Sequence, residues 1–227
     1  MSPSPATRWS LIRKVRSGRA PDREDFARIY EPVVRAFLGA RWRASPLRQD
    51  IDDAVQEVFL ACFREGGALA RVEPDHPGGF RAYLHGVVRH VAQHMERSRR
   101  RRKDAPGPVD FEPEVHDAGE ERLSRVFDRA WALSLLREAV ERQWELAREK
   151  DDDAVRRVEL LRLRFEEGLP IREIAKRWEV DAARLHQEYG RARREYREAL
   201  AEVVGWHLPG AKHEIAAECR RLLEYVD

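Results

Sequence analysis

Between Phe80 and Met95 the apolar residues fall at three- and four-residue steps: Phe80, Tyr83, Leu84, Val87, Val88, Val91 and Met95. That spacing makes one stripe of an α-helix and does not fit one face of a strand. The other side carries Arg81, His85, Arg89, His90, Gln93 and Arg97, and the stretch runs on into Arg99, Arg100, Arg101, Arg102 and Lys103. From Arg81 to Lys103 eight Lys or Arg face a single acid, Glu96, a local charge of +7 in a chain whose total is only +2. The remainder therefore sums to −5, so the basic charge is concentrated on one helix. A basic face on a rigid helix suits a polyanion partner. A solvated helix end, with cations favouring its negative dipole, explains two or three arginines but not five cations in succession.

The helical period extends over most of the chain, while Thr and Ile are sparse and period-two alternation is slight, so the expectation is all-α. The 227 residues allow two small domains. Cys62 and Cys219 lie far apart within helical patterns and read as small core residues; there is no CxxC pair, and neither a metal nor a cofactor is expected. The N-terminus lacks an apolar signal core and no apolar run approaches membrane length, so the expectation is a cytoplasmic protein without membrane insertion. The scattered histidines, with no nucleophile elbow or phosphate-cradling glycine loop, point away from an enzyme.

In chain order, Thr7 to Ser17 predicts a short helix with Trp9, Ile12 and Val15 inward. A second helix is expected from about Asp22 to Arg43, with a kink or break near Glu31 ahead of Pro32. From Asp50 to Arg64, Val55, Val58, Phe59 and Cys62 form a core stripe. Asp53, Gln56, Glu57 and Leu60 repeat that spacing on the far side. This acidic-polar row reads equally as a solvated face or as a docking face for a basic partner. Between Asp104 and Glu121 seven acids and three prolines occur without Lys or Arg, predicting an extended boundary segment.

The second half predicts a helix from Arg122 to about Arg148, with Leu123, Val126, Phe127, Ala130, Trp131, Leu135, Val140 and Trp144 inward. Another follows from an Asp151–Asp153 cap towards Gly168, with Val155, Val158, Leu161 and Phe165 in its apolar stripe. Pro170 then precedes two helices joined through Glu179, Val180 and Asp181. The first buries Ile171, Ile174, Ala175 and Trp178, and the second buries Leu185 and Tyr189 and shows Arg184, His186, Gln187, Arg191, Arg193 and Arg194. Such a pair describes a helix-turn-helix, and its basic second helix tilts it towards DNA. After a break at Trp206 to Gly210, a last helix with Ile215, Cys219, Leu222 and Leu223 on one side is expected to pack on the second domain.

Taken together these segments resemble the bacterial sigma-70 family, and the two-domain layout resembles its extracytoplasmic-function group. DIDDAVQEVFLACFRE is similar to the core-polymerase-binding helix, FRAYLHGVVRHVAQHMERSRRRR to the promoter-melting helix that reads the −10 element, and Leu160 to Arg194 to the −35-reading domain. The resemblance implies a region 2-like domain over 1–103, an acidic linker over 104–121, a region 4-like domain over 122–205 and a tail over 206–227. It implies core RNA polymerase and promoter DNA as partners and admits an inhibitory anti-sigma factor. Asp52, Asp53, Gln56, Glu57 and Leu60 would dock on polymerase. Arg81, His85, Arg89, His90, Gln93, Arg97, Arg99, Arg100, Arg101 and Arg102 would hold the −10 element. Arg172, Arg184, His186, Gln187, Arg191 and Arg194 would meet the −35 element. The chain departs from the family pattern at His90, where Asn is common, at Glu179, where the turn usually has Gly, and at Glu188, where a basic residue is usual. A stand-alone helix-turn-helix repressor or activator, and a helical RNA-binding protein, are the competing readings.

Overall fold

The structure is a computed structural model and describes residues 20–73, 76–103, 117–207 and 212–224. Every regular element among these residues is helical. In order they are α1 (Ala20–Arg41), a 3-10 turn (Pro46–Asp50), α2 (Ile51–Phe63), α3 (Ala68–Arg71), α4 (Gly79–Lys103), α5 (Asp117–Lys150), α6 (Asp152–Phe165), α7 (Ile171–Arg177), α8 (Ala182–His207) and α9 (Lys212–Glu224). The helix expected over Thr7 to Ser17 and most of the acidic boundary segment lie outside the described residues, as do the Arg102 and Lys103 side chains.

Two compact units divide the chain: Met1–Ser134 with Gly205–Asp227, and Leu135–Val204. The boundary expected at residues 104–121 is therefore displaced. Residues 117–134 of α5 belong to the first unit, because Phe127 and Trp131 complete its aromatic core rather than a core of the second. Trp131 stacks on Tyr30 at 5.4 Å between centroids and lies 6.1 Å from Phe80, while Phe127 meets Phe37 edge-on at 6.2 Å. Phe26, Tyr30, Phe37 and Phe80 are all buried there. Burying each such ring contributes about 1.5–3 kcal/mol, which carries α1 unbroken through Pro32 despite the expected break. Ile29, Tyr30, Val33, Val34, Phe37 and Leu38 on either side are buried, and together they outweigh the roughly 3 kcal/mol that an internal proline costs.

The C-terminal segment also joins the first unit, not the second. Helix α8 continues over Trp206 to His207, the first two residues of the predicted break, and His207 Nδ1 is 3.1 Å from Tyr30 Oη. Ile215 of α9 approaches Gly205 closely and Leu222 is buried, but Leu223 is exposed. Cys62 is buried in α2, and burial pushes its thiol up to about 12, so it serves as a small core residue.

The second unit is built on a cluster of Leu160, Leu163, Ile171, Ile174, Ala175 and Leu185 from α6, α7 and α8. Asp151 caps α6 by accepting a hydrogen bond from the Ala154 N–H at 2.6 Å. Gly168, at φ +68°, makes the turn after α6, while Phe165, expected inside, is exposed. Asp181 caps α8, accepting from the Arg184 N–H at 2.8 Å. Buried Gln143 donates to the Ala192 carbonyl at 3.1 Å.

Candidate nucleic-acid and partner interfaces

Helix α2 turns Ala54, Val55, Val58 and Cys62 inward. That orientation leaves Asp52, Asp53, Gln56, Glu57 and Leu60 all exposed, so the acidic-polar row expected from the spacing exists as a surface. Asp52 is engaged: its Oδ1 accepts from Arg35 at 2.6 Å, and Arg35 also donates to Glu31 at 2.9 Å. Asp53 and Glu57 enter no ion pair among the described residues. Leu60 stands 62% exposed at the end of this row. An apolar side chain so exposed beside carboxylates suits a partner that covers it with apolar and basic groups.

Helix α4 is fixed by buried Phe80, Leu84, Val88, Val91 and Ala92. Its acid, Glu96, is an anchor: it accepts from Arg41 at 2.7 and 3.0 Å and from Trp42 Nε1 at 2.8 Å. Burial works against its charge, but the bonds from Arg41 and Trp42 hold its carboxyl below the usual carboxylate range.

The basic row of α4 is divided. An i, i+4 row drifts by about 40° per step around a helix, so one end of it meets other helices and the other end meets solvent. Arg81 pairs with Asp128, and Arg89 lies 3.4 Å from Glu120. His85, expected on the exposed side, is instead set between Phe37 and Phe127 at 5.2 and 4.8 Å, and burial lowers its pKa. Its Nε2 is buried with no hydrogen-bond partner among the described residues. Arg99 is tied to Asp50 at 3.3 Å. His90, Arg97, Arg100 and Arg101 are exposed, with Gln93 half-buried among them. His94, Arg97, Arg100 and Arg101 line one open groove. His94 stands one turn after His90 and one before Arg97–Arg101, so its place beside the arginines follows from the helical period. That i, i+4 histidine pair could serve a metal, but no group of three or more His, Cys, Asp or Glu among the described residues is placed to hold one.

In the second unit Arg172, Arg184, His186, Gln187, Arg191 and Arg194 are all exposed. At 100° per residue Gln187, Arg191 and Arg194 share the side of α8 opposite buried Leu185 and Ala192. Arg184 and His186 flank that side, roughly 160° apart about the axis. Glu188 turns its carboxylate to Arg191 at 3.2 Å and to Arg157 at 3.5 Å. Arg157 is nearly buried and is held mainly by Glu195 at 2.8 and 2.9 Å, which keeps its guanidinium firmly charged.

No family model, curated protein or solved structure matches the chain.

Proposed function

We propose that the chain is a sigma-type initiation subunit, which binds core RNA polymerase through α2, opens and reads promoter DNA with α4, and contacts upstream duplex with α8. It carries out no catalysis of its own and works in the cytoplasm. The observation that carries this reading is the exposed Asp53, Gln56, Glu57 and Leu60 row, held rigidly by Val55, Val58 and Cys62 beneath it. Support comes from the open basic groove of His94, Arg97, Arg100 and Arg101, whose cations suit backbone contacts to a separated strand. The second helix pair adds to it, with Gln187 and Arg194 at the centre of the exposed side of α8, a surface that suits a major groove.

Co-elution with core polymerase tests the proposal. The purified chain is expected to co-elute, and Asp53→Arg with Glu57→Arg is expected to abolish co-elution while the helical circular dichroism is unchanged. Normal binding by that double variant, or none by the parent chain, sinks the reading. Tight sequence-specific duplex binding by the chain alone would instead favour a stand-alone helix-turn-helix regulator.

A further inference from the structure

Three successive positions of α4 face the N-terminal part of α5, all within the first unit. Arg81 pairs with Asp128, His85 lies against Phe127, and Arg89 pairs with Glu120. Eight residues separate Arg81 from Arg89, and eight separate Glu120 from Asp128, in the opposite direction. The two acids therefore meet the two arginines in an antiparallel register, with an aromatic ring on the histidine between them. Glu120 is held from a second side by Arg41 at 3.1 Å.

We propose that Arg81, His85 and Arg89 form an anionic-strand surface already occupied, in the free chain, by the chain's own residues 117–134, which a single-stranded polyanion must displace. The inference rests on the initiator reading of α4 and concerns how that site is regulated. Carboxylates sit on the guanidinium groups where phosphates would, and Phe127 covers the imidazole where a base would stack. The site is thus half closed. Arg97, Arg100 and Arg101 stay exposed and give strand affinity without choice, while upstream Arg81 and His85 are half-buried and Arg89, though exposed, is paired with Glu120. Phe127 and Trp131 are seated among Tyr30, Phe37 and Phe80, so the segment is not shed by fraying.

Fluorescence anisotropy with a labelled single-stranded DNA 20-mer, titrated with salt, tests this on the full chain. Glu120→Gln with Asp128→Asn is expected to raise affinity at least threefold and to steepen the salt slope by about 1.4, since each phosphate contact on a single strand adds about 0.7. In that background, replacing Arg81 and Arg89 by Ala should cost at least threefold more affinity than the same replacement costs in the parent chain. An unchanged affinity and slope in the acid variant, or an equal cost of the arginine replacement in both backgrounds, overturns the proposal. Should the double acid variant lose its helical circular dichroism, Glu120→Gln alone gives the same readout, because Arg41 keeps Glu96 while Arg89 is freed; half the slope change is then expected, and none overturns the proposal. The initiator reading fails separately, through loss of polymerase co-elution.

Discussion

Glu188 and Arg191, one turn apart on α8, form an ion pair at 3.2 Å on the flank of the side that carries Gln187 and Arg194. The acid is no repulsive misfit there, because its other oxygen is drawn inward to Arg157. Glu188→Gln is expected to free Arg191 for phosphate. The salt slope of duplex DNA binding should then steepen by about 0.9, and discrimination between promoter and random duplex should fall. Stability should change by less than about 1 kcal/mol, because Arg157 retains both bonds to Glu195 and an exposed pair contributes little. Anisotropy titrations at several salt concentrations read the slope directly.

Glu179 sits at φ 54°, the left-handed region that the end of α7 demands. The Val180 N–H donates to the Ala175 carbonyl at 3.0 Å and the Glu179 N–H to the Lys176 carbonyl at 3.2 Å, a pairing that closes only with such a residue between them. A non-glycine residue there costs about 1 kcal/mol. Glu179→Gly should accordingly stabilise the second unit by up to about 0.5 kcal/mol once glycine's extra chain entropy of about 0.5–1 kcal/mol is subtracted, raising its thermal midpoint by at most a few degrees. Calorimetry showing a lower midpoint would mean that the Glu179 side chain makes a favourable contact that outweighs the strain.

Both faces of α2, the caps Asp151 and Asp181 and the strained Glu179 were legible because each is a local matter of spacing or of a side chain reaching three residues on. The domain boundary was not. Phe127 and Trp131 show the same periodicity whether their partners lie before or after them in the chain, and only the fold reveals Tyr30, Phe37 and Phe80. Which residues of the basic face of α4 are solvated was not legible for a related reason. Charge and period cannot separate a solvated arginine such as Arg97 from Arg81, which is paired to Asp128 on another helix. The matched eight-residue steps of Arg81–Arg89 and Glu120–Asp128 were the available signal.

Tyr30 and His207 lie 177 positions apart and meet at 3.1 Å in the core of the first unit, where the imidazole also meets Trp131 edge-on at 5.5 Å. His207→Ala leaves the Tyr30 hydroxyl without this partner and opens space beside two aromatic rings. The expected loss is about 2–4 kcal/mol. Tyr30→Phe removes only the hydroxyl and should cost about 1 kcal/mol. Urea titrations should place the two variants in that order; equal midpoints would show that the imidazole contributes no more than its contact with the Tyr30 hydroxyl.

Glu96 makes the first unit sensitive to acid. Burial opposes its charge, yet the hydrogen bonds from Arg41 and Trp42 dominate, and its folded pKa lies below its unfolded value of about 4.3. A carboxyl shifted in that direction adds stability that is fully present above the unfolded pKa and disappears as the pH falls through the folded one. Glu96→Gln leaves Arg41, whose side chain is only 7% exposed, with Glu120 alone. At pH 7 this should cost on the order of 3 kcal/mol. The gap between parent and variant should begin to narrow as the pH falls below the unfolded value and should close only below the lower folded pKa, where the parent carries a neutral carboxyl in the same place. Chemical denaturation at pH 7, 5, 4 and 3 measures the gap, and a gap that stays constant across this range would show that Glu96 stabilises α4 by shape and not by charge.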